Sequence, residues 1–143
     1  MELDFALLAD GVTPRPDGKL DIFGAGFDLI IAPGVPAQHP RLLLAVRVLL
    51  TRNEVENAHR LDVFVQQADG QELGRARQEI SPVPEEKREQ IPAGRHVGVG
   101  ALLTFENLVF PEFGAYQIVI HWDGNEARDP IQVFVEETPP VPE

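Results

Sequence analysis

The segment Ala115–Trp122 places its apolar side chains at every second position. Tyr116, Ile118, Ile120 and Trp122 fall on one face, and Gln117 and His121 on the other. A repeat of two is that of an extended strand; wound into a helix, the same residues would be scattered around its circumference. The pattern recurs along the chain. Leu61, Val63 and Val65 alternate with Asp62 and Gln66, and Ile131, Val133 and Val135 alternate in the same way. Val99, Ala101, Leu103 and Phe105 hold a single register, and "PRLLLAVRVLLT" is apolar on nearly both faces. Further strands are expected around Leu3–Leu8, Lys19–Phe23 and Phe27–Ile31.

The punctuation between these runs agrees with them. Asp17-Gly18, Asp69-Gly70 and Asp123-Gly124 supply the positive-φ conformers of a type I′ hairpin turn. Alternation and turn signals together predict an all-β chain. The expected architecture is an antiparallel β-sandwich of roughly seven to eight strands, immunoglobulin-like or related. It fills residues 1–136 as one domain, and residues 137–143 form a Pro-rich C-terminal tail. Gly114 permits a corner, and Tyr116 follows where sandwiches anchor a corner through the phenol hydroxyl, with Trp122 on the same inner face. The segment 81–97, "SPVPEEKREQIPAGRHV", breaks the pattern and is read as a functional loop, a mobile one, or a short helical turn with Pro84 at its first position.

Composition narrows the function. The chain carries 23 acidic against 12 basic residues, a net charge of −11, with no cysteine. Phosphate backbones and anionic lipid surfaces both require clustered Lys and Arg, so neither nucleic acid nor membrane is an expected partner. Without cysteine there is no disulfide, thiolate chemistry or Cys-ligated zinc. The acidic start "MELDFALLADG" has no basic region of a secretory signal, and no apolar run reaches the length of a span; a cytoplasmic protein is expected.

Motifs for chemistry are sparse. Ser81 is the only serine and lacks a nucleophile-elbow context. His39, His59, His96 and His121 have no metal-ligand spacing. Asp123, Asn125, Glu126 and Asp129 come nearest to a calcium loop, but a hairpin turn explains the first of them. The GxG pairs at Gly24/Gly26 and Gly98/Gly100 run into strands, not helices, so they do not cradle phosphate. No catalytic residue, cofactor or metal is assigned, and an enzyme is not the favoured reading. What remains is surface. Leu43, Arg47, Leu49, Phe64 and Phe134 sit at outward positions and form a candidate face for self-association or a protein partner. The alternative is a small-ligand or enzyme site under the 81–97 loop, drawing on Glu85, Glu86, Arg95 and His96. A third route is docking by strand addition at an open sheet edge.

The quoted residues also resemble a family of short, uncharacterised bacterial proteins with the pattern LAD, GKLNI.G, P..HP, G.Y and DG. Leu8-Ala9-Asp10, Gly18-Lys19-Leu20-Asp21-Ile22, Pro36, His39-Pro40, Gly114, Tyr116 and Asp123-Gly124 carry the likeness, from residue 6 to about 135. It implies a compact all-β domain and no assigned activity. The 81–97 loop looks longer than such proteins usually carry.

Overall fold

In the computed structural model, which describes residues 1–139, two β-sheets face each other across one core. The first sheet has the order β1 (Glu2–Ala9), β5 (Ala37–Leu50), β8 (Val97–Phe110). The second has the order β4 (Leu29–Ala32), β11 (Ile131–Glu137), β9 (Gly114–Trp122), β6 (His59–Gln67), β7 (Glu72–Ile80). Among the described residues eleven strands are present where roughly seven to eight were expected. A separate hairpin pairs β2 (Gly11–Pro14) with β3 (Leu20–Phe23), and the two-residue β10 (Asn125–Glu126) lies beside β9; the strands that were not expected are β2, β7 and β10. Pairing is antiparallel throughout except between β4 and β11, which run parallel. β11 extends to Glu137, and positions 140–143 of the expected tail lie outside the described residues.

The alternating residues form the core as their spacing requires. Leu42, Leu44, Val46, Val48 and Leu50 of β5 meet Leu61, Val63 and Val65 of β6, Ile118 and Ile120 of β9, and Val133 and Val135 of β11. The second apolar face of β5 is buried too. Leu43 and Ala45, with Ala9 of β1, are shielded without joining the central cluster. The β2–β3 hairpin lies over that face, and Leu20 Cγ lies 3.1 Å from where a Cβ on Gly100 would stand. On the closed side of the sandwich β7 meets β8. A Cβ on Gly74 would stand 2.5 Å from Leu108 Cδ2, so glycine sets how near the sheets approach.

Only one of the three Asp-Gly pairs forms a type I′ turn. Asp123 and Gly124 have φ of 48° and 85°, and Trp122 pairs directly with Asn125. At the other two pairs only the glycine has positive φ. There Asp17 accepts from the Lys19 N–H and Asp69 from the Gln71 N–H, which builds Asx turns in longer loops. The corner forms as the sequence indicates: the Tyr116 hydroxyl donates to the Glu112 carbonyl (2.6 Å) and accepts from its N–H (3.2 Å).

The register of β8 departs from a simple repeat. Ala101, Leu103 and Phe105 point inward, but the next inward residues are Leu108 and Phe110. Asn107, with φ of 54°, turns the strand face over. In β5 the same reversal separates Ala37 from Leu42, and Pro40 lies at the position opposite Asn107 in an otherwise continuous ladder. Proline has no N–H to give the ladder, and asparagine tolerates the left-handed region better than other residues with a Cβ. Asn107→Ala is expected to cost about 1 kcal/mol by denaturant titration, and Asn107→Gly to cost nothing or to stabilise slightly.

Candidate functional site

The five candidate interaction residues do not form one face. Leu43, Arg47 and Leu49 lie on β5, on the outer side of the first sheet, whereas Phe64 (β6) and Phe134 (β11) lie on the outer side of the second. Leu43 is buried beneath the hairpin side. Arg47 is held to Asp4, the residue that bulges out of β1, and its guanidinium lies where a Cβ on Gly98 would stand. Phe64 packs edge-on to His121 at 5.0 Å, with the Arg75 guanidinium 4.6 Å above its ring. Each residue lies on the outer side of its own strand, although Leu43 is covered there. Their assignment to different sheets depends on strand order, which spacing does not encode.

Nor does the 81–97 loop roof a site. Glu85 and Glu86 begin α1 (Glu85–Arg88), a single exposed turn capped by Pro84, which therefore stands one position before the helix rather than at its first residue. Arg95 and His96 line two shallow clefts, and neither glutamate lines them. The loop is instead pinned inward: the Val83 N–H donates to the Val55 carbonyl, and Val83 and Ile91 pack on the core.

Two polar clusters come from the fold alone. On the outer face of the second sheet Asp62 is 4% exposed, and its two oxygens accept from Arg77 Nε and Arg60 Nε, each at 2.8 Å. Burial raises its carboxyl pKa, and the Arg77 and Arg60 hydrogen bonds more than offset this, so the group is held below its ordinary value. Both arginines remain about half exposed, so water screens the pairs.

The second cluster centres on His59, whose ring lies against Trp122 with centroids 4.8 Å apart. Nδ1–H donates to Asp123 (2.7 Å) and Nε2–H to the Glu54 carbonyl (2.6 Å). Both neighbours can only accept, so the ring satisfies both only when doubly protonated. Burial lowers the His59 pKa, but the bonds to Asp123 and the Glu54 carbonyl raise it further, and the net shift is upward. Ser81 lines the same cleft as His59 and Asp123, which no motif in the sequence announced. A Ser–His–Asp triad requires Nε2 to accept the serine proton. Here Nε2 is turned to a backbone carbonyl, so the arrangement is a clasp joining the Glu54–Glu56 turn to the β9–β10 hairpin.

The third feature is an edge. On the outer face of the second sheet, Leu29 and Ile31 of β4 are 40% and 54% exposed, and Phe134, opposite Leu29 in register, is 39% exposed. The carbonyls of Asp28 and Ala32 accept from Phe134 and Thr138 of the β11 segment. By the alternation of a parallel ladder, the N–H and C=O of Leu29 and Ile31 therefore point away from β11. They face a groove of about 320 Å³ lined by Asp10, Gly24, Phe27 and His39 beside β4 itself. Sequence reasoning gave β4 a strand but no place at an edge.

The chain belongs to a family whose model matches residues 4–134 and is described as a family of unknown function (DUF6941). No curated protein matches it. Among solved structures it is similar to a glycosyl hydrolase family 2 member from Bacteroides cellulosilyticus DSM 14838, at 15% identity and a TM-score of 0.38 over 69% of this chain. It is also similar to a putative beta-galactosidase from Bacteroides fragilis, at 18% identity and a TM-score of 0.39 over 70%. The chain spans only 13% and 15% of the length of those two structures, and the likeness carries no argument about activity.

Proposed function

We propose that this member of a family of unknown function is a non-enzymatic interaction module that receives an extended protein segment along the free edge of β4. One observation carries the reading: the sheet edges are defended unequally. β1 is interrupted by the Asp4 bulge, and β7 projects Arg75, Arg77 and Glu79 outward. Bulges and edge charges are how sheets avoid pairing with other chains. β4 has neither, and offers Leu29 and Ile31 with unpaired backbone groups beside a groove. No helix among the described residues is long and apolar enough to cross a membrane. We propose the cytoplasm as its place of action, and a second copy of the chain is among the segments to be tested.

Ile31→Pro tests this. It deletes an N–H that faces away from β11, so the internal ladder stays whole, and proline is tolerated on edge strands. Peptides selected from a random displayed library on the wild-type protein are expected to lose binding to the folded Ile31→Pro variant. A selection whose binders are indifferent to the substitution would remove the proposal.

A further inference from the structure

Resting on the β4-edge reading, we infer that the segment received there is a foreign, basic one that alternates apolar with Lys or Arg side chains, and is not a second copy of this chain. The reason is the charge that frames the edge. Asp28 immediately precedes β4, and Asp10 lines the groove. Glu136 lies opposite Ile31 on the outer face, and Glu137 opposite Ala32. β4, β11 and the groove lining contain no Lys or Arg, and His39 is the sole basic group among them.

An antiparallel pairing of two β4 strands about Ile30 would bring Asp28 of each copy to the Ala32 end of the other, where Glu137 lies on β11, on molecules that each carry a net charge of −11. Like charges gathered at both ends of the pairing oppose it. A segment with Lys or Arg at every second position reverses that sign. Its apolar residues would lie on the Leu29–Ile31–Phe134 strip while its cations, on the other face, meet Asp10 and Asp28. Main-chain hydrogen bonds then supply binding common to any extended segment, and the acidic rim supplies choice.

The experiment uses two short blocked peptides, one alternating valine with lysine and one alternating valine with glutamate, titrated by fluorescence anisotropy. The basic peptide is expected to bind about tenfold or more tighter at low salt, with a narrower margin as salt is added. Binding should vanish on Ile31→Pro and slow exchange of the Leu29 and Ile31 amides in wild type, a readout that stands even where that variant folds poorly. Asp10→Lys/Asp28→Lys should shift the preference toward the acidic peptide.

Equal affinity for both peptides, lost on Ile31→Pro, would keep the edge and overturn the charge selection. Binding of the basic peptide that leaves the two amides unprotected would be adsorption to an acidic surface and would overturn the inference. A wild-type dimer in sedimentation that Ile31→Pro dissociates would overturn it in favour of a second copy. Absence of binding by either peptide would overturn both the inference and the edge reading.

Discussion

Phe110→Ala is expected to lower stability by about 3–5 kcal/mol, the usual cost of emptying a buried phenylalanine site. Phe110 has no exposure to solvent and is among the largest wholly buried side chains. Its ring meets Tyr116 edge-on, with centroids 4.9 Å apart at 75°. The same tyrosine ties the corner through Glu112, so the cavity would open beside the device that turns β8 into β9. Relaxation into the space would loosen that corner. In a chain of this size each kcal/mol moves the melting temperature by about 2–4 °C, so a fall of about 6–20 °C is expected. Denaturant titration should show a lower midpoint with little change in slope. Tyr116→Phe, which removes only the hydroxyl, should cost about 1 kcal/mol. A loss below about 1 kcal/mol for Phe110→Ala would show that the ring is not packed as described.

The second large effect belongs to His59. His59→Ala removes two short hydrogen bonds and the surface covering Trp122, and should cost about 2–4 kcal/mol near pH 6. His59→Phe keeps the ring against Trp122 and should recover part of the loss. The pH dependence separates the roles. The folded pKa of His59 lies above its ordinary value of 6.5, so its contribution is complete below that value and fades as pH rises through the folded pKa. Asp123 behaves oppositely. Burial raises its pKa, but the hydrogen bonds from His59 and the Arg60 N–H lower it below 3.8 overall, and its contribution fades as pH falls through the folded pKa. For Glu54 burial likewise raises the pKa, and bonds from the Met1 amino group and Thr51 bring it below 4.5. The clasp is therefore strongest between about pH 4.5 and 6.5. Unfolding free energy measured across pH 5 to 9 should decline in wild type and stay flatter in His59→Phe. Equal slopes would mean that His59 carries no extra proton in the folded state.

Alternation made the strands legible, because side-chain direction in an extended chain is set by position alone. Leu61–Val65 and Tyr116–Trp122 are buried at the residues their spacing selects, as are Val133 and Val135, while Ile131 packs partly buried against the core. Tyr116 was legible for a local reason, since its partner Glu112 is only four residues away. What spacing could not convey is long-range. His59 and Asp123 are 64 residues apart and meet only because β6 and β9 are neighbours. Leu43 and Phe134 share an outward parity but occupy different sheets. β4 reads as an ordinary short apolar strand, and its parallel pairing with β11, which leaves one side open, appears only in three dimensions. Of the Leu29–Ile31–Phe134 strip only Phe134 was legible as a candidate, and the edge beside it was not.

Pro40 and Asn107 make the inside and outside of the first sheet a joint property of two segments far apart in the chain. Deleting either residue alone would invert everything beyond it on that strand and leave its neighbour facing the old way, whereas losing both would restore agreement. Insertions and deletions in these two strands should therefore survive over evolutionary time as matched pairs or not at all.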